Sequence, residues 1–286
     1  MRNLVFLVGW LFATAAEADC RLERLAWLPM TTDAKGTVEV PVEISGRTVA
    51  LLVDTGGISS LLTASAADRL GLERRSVPPS EMTIPFGGPR LTQAVTAPGL
   101  AFGALAPQDK RFVIVPDGRL PSGADGTMAS DMLSHMDLEF DFPGHRLGFY
   151  TQNRCPGGVV SWPAAAVSRI AVEVTRYKQI NLHIGVDGKD IRASFDTGTS
   201  RSVMSLELAQ SLFGLTPNTP GMRALGAPGV YSYRFGKLTF GGVTVANPDI
   251  VLLSDRYSPP VRGVPLRTPG ATNMLRVAFV GPQKQA

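Results

Sequence analysis

Two Asp-Thr-Gly triplets stand 142 residues apart, Asp54-Thr55-Gly56 within "LLVDTGGISSLLT" and Asp196-Thr197-Gly198 within "IRASFDTGTSRSVMS". Each aspartate closes an apolar run, where an unpaired carboxylate is costly and is therefore exposed, paired or functional. Two carboxylates brought together cannot both ionise near neutral pH, so they share a proton. The ionised member can then draw a proton from a water while the protonated member donates to a carbonyl oxygen, one pair serving as general base and general acid. That chemistry requires neither a metal nor a nucleophilic side chain. The glycines at 56 and 198 allow backbone N–H groups to come close to the carboxylates, and the hydroxyls of Thr55 and Thr197 can brace one turn against the other. Two turn aspartates accepting backbone N–H bonds would be the plainer reading, but chance does not readily put the same triplet at equivalent places in a repeat.

The elements that must deliver these carboxylates are duplicated along with them. "TVEVPVEISG" alternates with Val38, Val40, Val42 and Ile44 on one face, and "INLHIGVDG" does so with Ile180, Leu182, Ile184 and Val186, which predicts two half-buried strands. Each meets a glycine turn, Ser45-Gly46 or Asp187-Gly188, and returns as a second strand ending at the aspartate. A short helix should follow in each half, with Thr63 or Ser205 as N-cap and Gly71 or Gly214 closing it. Further on, "FGALAPQDKRFVIV" matches "FGGVTVANPDIVLL". Strands dominate, so the expected class is all-β, in two pseudo-symmetric lobes with a cleft between them. The proline and glycine density of Thr151 to Ser168 reads as a linker. The predicted organisation is residues 1–18 as a signal peptide, 19–158 as the first lobe and 159–286 as the second.

The signal peptide is read from Arg2, the apolar stretch Leu4 to Thr14 and the small-x-small step Ala16-Glu17-Ala18. The mature chain then begins at Asp19 and is secreted or periplasmic, with no stable membrane insertion. Cys20 and Cys155 are the two cysteines of the 286 residues, and in an exported chain they suggest one disulfide, with two free thiols as the alternative. Three scattered histidines, with no CxxC or HExxH, give no support for a metal, and no cofactor is expected. A net charge of +4 with no basic run interleaved with aromatics argues against nucleic-acid binding.

At these residues the chain resembles the aspartic peptidase family, in particular bacterial retropepsin-like members fused into one bilobal, pepsin-like chain. The motifs are "LLVDTGG", "ASFDTGTS" and the segment "DGTMASDMLSHMDLEFDFPGHRLGFY". The resemblance implies two acid-protease β-barrel lobes, Asp54 and Asp196 as the catalytic pair, and a hairpin flap over the substrate, for which Phe86, Gly87 and Gly88 are the candidates. "LGAPGVYSY" lies at the same spacing beyond the second aspartate. The family's usual hydroxyl after the first triplet is absent at Gly57, whereas Thr199 supplies one to the second loop. Ala129 stands at a family glycine position, followed by Asp131, and Arg276 is expected at the corresponding glycine position of the second half. The implied function is an exported endopeptidase acting as a monomer on peptide or unfolded protein. A peptide-binding relative that has lost turnover is the alternative.

Overall fold

The computed structural model of the chain describes residues 23–32, 36–79, 90–120, 123–152, 168 and 170–254, together with the backbone of 275–278. The alternation predicted for the first strand is present: in Val38–Ile44 the residues Val38, Val40, Val42 and Ile44 are buried and Glu43 is exposed. In Ile180–Val186, Leu182, Ile184 and Val186 are buried and His183 is exposed, with Ile180 half-buried. Each buried aliphatic side chain of this kind contributes about 1.5–3 kcal/mol. Both strands turn back through two residues of positive φ, Ser45 at 50° and Gly46 at 73°, Asp187 at 44° and Gly188 at 81°. This is the turn whose twist matches a hairpin. The pairs Ile44 with Arg47 and Val186 with Lys189 close the two hairpins.

The return strands, Arg47–Asp54 and Lys189–Asp196, run through the interior of their sheets. On its far side each pairs in parallel with a short strand, Gly126–Ala129 in the first lobe and Leu275–Ala278 in the second. Leu61–Thr63 and Val203–Ser205 pair antiparallel with those short strands, and in parallel with Gln108–Val115 and Asp249–Leu253. The first-lobe sheet closes on itself because Val38–Ile44 also pairs with Gln93–Ala101, through Glu43 with Ala101 and Ile44 with Leu100. In the second lobe the corresponding strand pairs through Gly185 with Thr239 and Val186 with Leu238, one link in a sheet whose path runs from Arg223–Ala224 to Val243–Ala246. Closure satisfies the edges that an open sheet leaves unpaired. A third sheet packs Arg24–Pro29 and Asp137–Asp141 on either side of Arg146–Tyr150.

The predicted caps are in place. Thr63 Oγ1 accepts from Ala66 N at 3.2 Å at the start of Ala64–Arg69, and Ser205 Oγ accepts from Leu208 N at 3.0 Å at the start of Leu206–Phe213. Gly214 ends the second helix with φ 69°, and Gly71, φ 70°, follows the first. Each lobe encloses its own core, one around Leu51, Phe112 and Phe149 and the other around Ile184, Met204 and Phe235. Among the described residues, the strands of the first-lobe sheet and of the three-stranded sheet come from Arg24 to Tyr150, and those of the second-lobe sheet from Val172 to Ala278.

One expectation is corrected by the register. Arg276 lies opposite Ser194, whereas Ala278 lies opposite Asp196, just as Ala129 lies opposite Asp54. The counterpart of Ala129 is therefore Ala278, and both lobes carry alanine at that step. A short parallel strand inside a sheet has no hydrophobic alternation to mark its register, so a shift of two residues is invisible in the sequence. The candidate flap residues Phe86, Gly87 and Gly88, both cysteines Cys20 and Cys155, and the signal segment lie outside the described residues. The base of the candidate flap hairpin is described, with Arg75 paired to Ala94 and Ser76 to Gln93.

Candidate active site

Each hairpin carries its aspartate to the last residue of an interior strand, and the chain then turns sharply through Thr-Gly. Backbone donors in and just past these turns close on the carboxylates: Gly57 N donates to Asp54 Oδ1 at 2.8 Å and Gly198 N to Asp196 Oδ1 at 2.9 Å. Across the lobes, each carboxylate sits over the other loop's glycine. A Cβ built on Gly56 would lie 2.3 Å from Asp196 Cγ, and one on Gly198 would lie 2.5 Å from Asp54 Oδ1. Glycine is required at both places for this close approach. Asp196 is buried, 3% exposed, and Asp54 is half-buried.

The threonines of the two triplets join the lobes by a reciprocal exchange. Thr55 N donates to Thr197 Oγ1 and Thr197 N to Thr55 Oγ1, both at 3.1 Å. Each hydroxyl in turn donates to a carbonyl of the opposite strand, Thr55 Oγ1 to Phe195 O at 3.1 Å and Thr197 Oγ1 to Val53 O at 2.6 Å. All these groups are buried or nearly so, where an unpaired N–H or C=O is expensive. The exchange therefore fixes the spacing of the two loops and, with it, of the two carboxylates.

Several supporting residues have no signal in the local sequence. Ser60 donates to Asp131 Oδ1 through its N at 3.0 Å and its Oγ at 2.6 Å, while Ala129 N donates to Ser60 Oγ at 3.0 Å. Lys110 Nζ reaches Asp131 Oδ2 at 3.2 Å. Ser130 donates through both N, at 3.1 Å, and Oγ to Gly57 O. From the second lobe, Gln179 Nε2 donates to Gly56 O at 2.5 Å. The Asp131 network belongs to the first lobe: counting on from Ala278 puts valine at the corresponding position of the second. Only pairing across some 70 residues, not a motif, brings Ser60 to Asp131.

One expectation about the loops changes, and the glycine at 57 gains a physical reason. The Thr199 hydroxyl, expected to serve the adjacent carboxylate, donates instead to Arg201 O at 3.1 Å within its own loop. At Gly57 a Cβ would meet Asp54 Oδ2 at 2.5 Å and Ala129 Cβ at 3.1 Å, so a hydroxyl-bearing side chain does not fit there without displacing the carboxylate. Among the described residues, no group of three or more His, Cys, Asp or Glu side chains could hold a metal ion.

The family model for aspartyl protease matches residues 40–131 and, a second time, residues 182–272. The chain belongs to the aspartyl protease family. The two matched segments contain the two Asp-Thr-Gly loops, one in each lobe. Among solved structures the chain is similar to a retropepsin-like aspartic protease from Rickettsia conorii, at 13% identity and a TM-score of 0.30, over 44% of this chain and 90% of that one. No curated protein sequence matches the chain.

Proposed function

We propose that the chain is an exported aspartic endopeptidase that cleaves peptide bonds with a water activated between Asp54 and Asp196. The observation that carries this reading is the reciprocal packing of each carboxylate against the opposite Asp-Thr-Gly loop, fixed by the threonine exchange. In the singly protonated dyad, the ionised carboxylate takes a proton from the water as its oxygen attacks the peptide carbonyl carbon. The protonated carboxyl gives its proton to the carbonyl oxygen. Collapse of the resulting gem-diol breaks the C–N bond, a proton passes to the leaving amine, and the dyad returns to its singly protonated form. One chain supplies both aspartates, which supports a monomer acting on extended peptide or unfolded protein. Among the described residues no helix is long and apolar enough to cross a membrane.

The test is hydrolysis of an unstructured protein such as casein between acidic and neutral pH by the mature chain and by its Asp54→Asn and Asp196→Asn variants. Wild-type turnover, abolished by either substitution with an unchanged far-UV circular dichroism spectrum, is expected. Substantial turnover in either variant rejects the dyad. Peptide binding without turnover in the wild type favours a binding protein instead.

A further inference from the structure

A pocket of about 600 Å³ opens beside the second catalytic loop, lined by Ser200, Arg201 and Ser202 immediately past Thr199, and by Arg223, Ser232 and Asp249 from neighbouring strands. Its floor follows from sheet register. Arg223 lies opposite Ser232, Ser232 opposite Val251 and Val251 opposite Val203, and side chains of one such row share a face. Ser232 is 3% exposed, and its hydroxyl has no hydrogen-bond partner among the described residues. Buried hydroxyls are ordinarily satisfied, so one left over on the floor of a pocket points to a polar occupant.

The charges of the pocket point to the sign of that occupant. Asp249 is engaged by two guanidinia, Arg223 at 2.6 Å and Arg234 at 3.1 Å. The hydrogen bond from Arg234, aided by the charge of Arg223, holds its carboxyl below the usual range. Arg201 is exposed, and its guanidinium has no carboxylate partner among the described residues. In and beside the pocket, three guanidinia thus answer to one carboxylate.

The first lobe shows what the same place looks like without this device. Ser59 stands where the repeat puts Arg201, and Ala94, paired with Arg75 and Val113, stands where it puts Ser232. There Leu61, Leu91, Val113 and Val115 pack into an apolar cluster. Arg75, ion-paired with Glu73, stands where the repeat puts Arg223, so what sets the second-lobe position apart is the unpartnered Ser232 hydroxyl and the Arg201 guanidinium beside it.

We propose that the second-lobe pocket receives an acidic side chain, Glu or Asp, of the bound peptide close to the scissile bond, and that Arg201 is the specificity-determining residue that pairs with it. The proposal rests on the peptidase reading for its place beside the bond that breaks. A guanidinium matches a carboxylate through two parallel N–H donors, which lysine cannot reproduce. Because Arg201 is exposed, the preference is modest, at most about fivefold, and declines with added salt.

The experiment gives the full chain a series of fluorescent octapeptides of alanine and leucine in which one position at a time is Glu or Gln. Wild type should show a Glu-to-Gln ratio in kcat/KM of about three to five at one position. Arg201→Gln should bring that ratio to about one, Arg201→Lys should retain part of it, and Arg201→Glu should turn the preference toward a lysine peptide. The same peptides are titrated by fluorescence anisotropy against the Asp54→Asn chain. A Glu preference in binding without cleavage by wild type refutes the peptidase reading and supports the pocket. Ratios near one at every position in both readouts, a ratio untouched by Arg201→Gln, or the absence of both binding and cleavage overturns the pocket assignment.

Discussion

Gly56→Ala isolates one contact of the site. The backbone at Gly56 does not have positive φ, so alanine adds no conformational strain there. The added Cβ would lie 2.3 Å from Asp196 Cγ and 2.4 and 2.6 Å from its two oxygens. Carbon atoms in contact prefer about 3.5–4.0 Å, so the carboxylate must retreat by more than about 1 Å. Asp196 is 3% exposed and tied to Gly198 N at 2.9 Å, and has little room to do so. A misplacement of about 1 Å at a reacting group costs about 100-fold in rate, equivalent to about 2.7 kcal/mol of transition-state stabilisation. The expected result is a fall of at least that size in kcat/KM on a peptide substrate, with a loss of stability of about 1–3 kcal/mol from overpacking. Gly198→Ala should do less harm, because Asp54 is half-buried and can move. Gly185→Ala is the control: its Cβ would meet Thr239 Oγ1 at 2.4 Å, an overlap of similar size away from the carboxylates. It should lower the urea midpoint and leave kcat/KM within about threefold. Gly56→Ala retaining a tenth of wild-type kcat/KM, or Gly185→Ala losing as much as Gly56→Ala, refutes the argument from close approach.

Thr197→Val keeps the shape of the side chain but removes the acceptor of Thr55 N and the donor to Val53 O. Unpaired buried groups cost about 1–3 kcal/mol each, so urea unfolding should show a loss of about 2–6 kcal/mol. Thr197→Ser should lose less than half of that, and equal losses in the two variants would contradict the exchange. Export, read from the apolar segment before Ala16-Glu17-Ala18, predicts that N-terminal sequencing of the chain recovered from the producing cells' envelope or medium begins at Asp19. Thiol titration of that material, denatured without reductant, should find neither Cys20 nor Cys155 free; two free thiols would reject their pairing.

What the sequence made legible is what repeats or alternates. Val38 to Ile44 has a period of two because one face is buried, and its echo at Ile180 to Val186 makes the duplication visible in the sequence alone. The two aspartates were visible because a carboxylate in an apolar run is chemically out of place. The rest depends on contacts between distant residues of ordinary type. Nothing near Ser60 announces that its hydroxyl will bind Asp131, and nothing near Gln179 points to Gly56 O. The pairing of Arg24–Pro29 with Arg146–Tyr150 joins segments with no shared pattern. The step of two residues from Arg276 to Ala278 was hidden because register in a short parallel strand inside a sheet is set by its neighbours rather than by its own alternation.

The threonine exchange has a consequence in time as well as in space. The cores of the two lobes are separate, so each half of the chain can collapse around its own apolar residues. The hydrogen bonds of Thr55 and Thr197 have their partners in the other half and come into being only when the halves meet. Secondary structure and cores can therefore form while the two carboxylates are still apart, and the reactive centre is the last part of the molecule to be assembled. Because domains fold as units in the order of synthesis, a chain whose second half is missing or unfolded cannot bring the two carboxylates together.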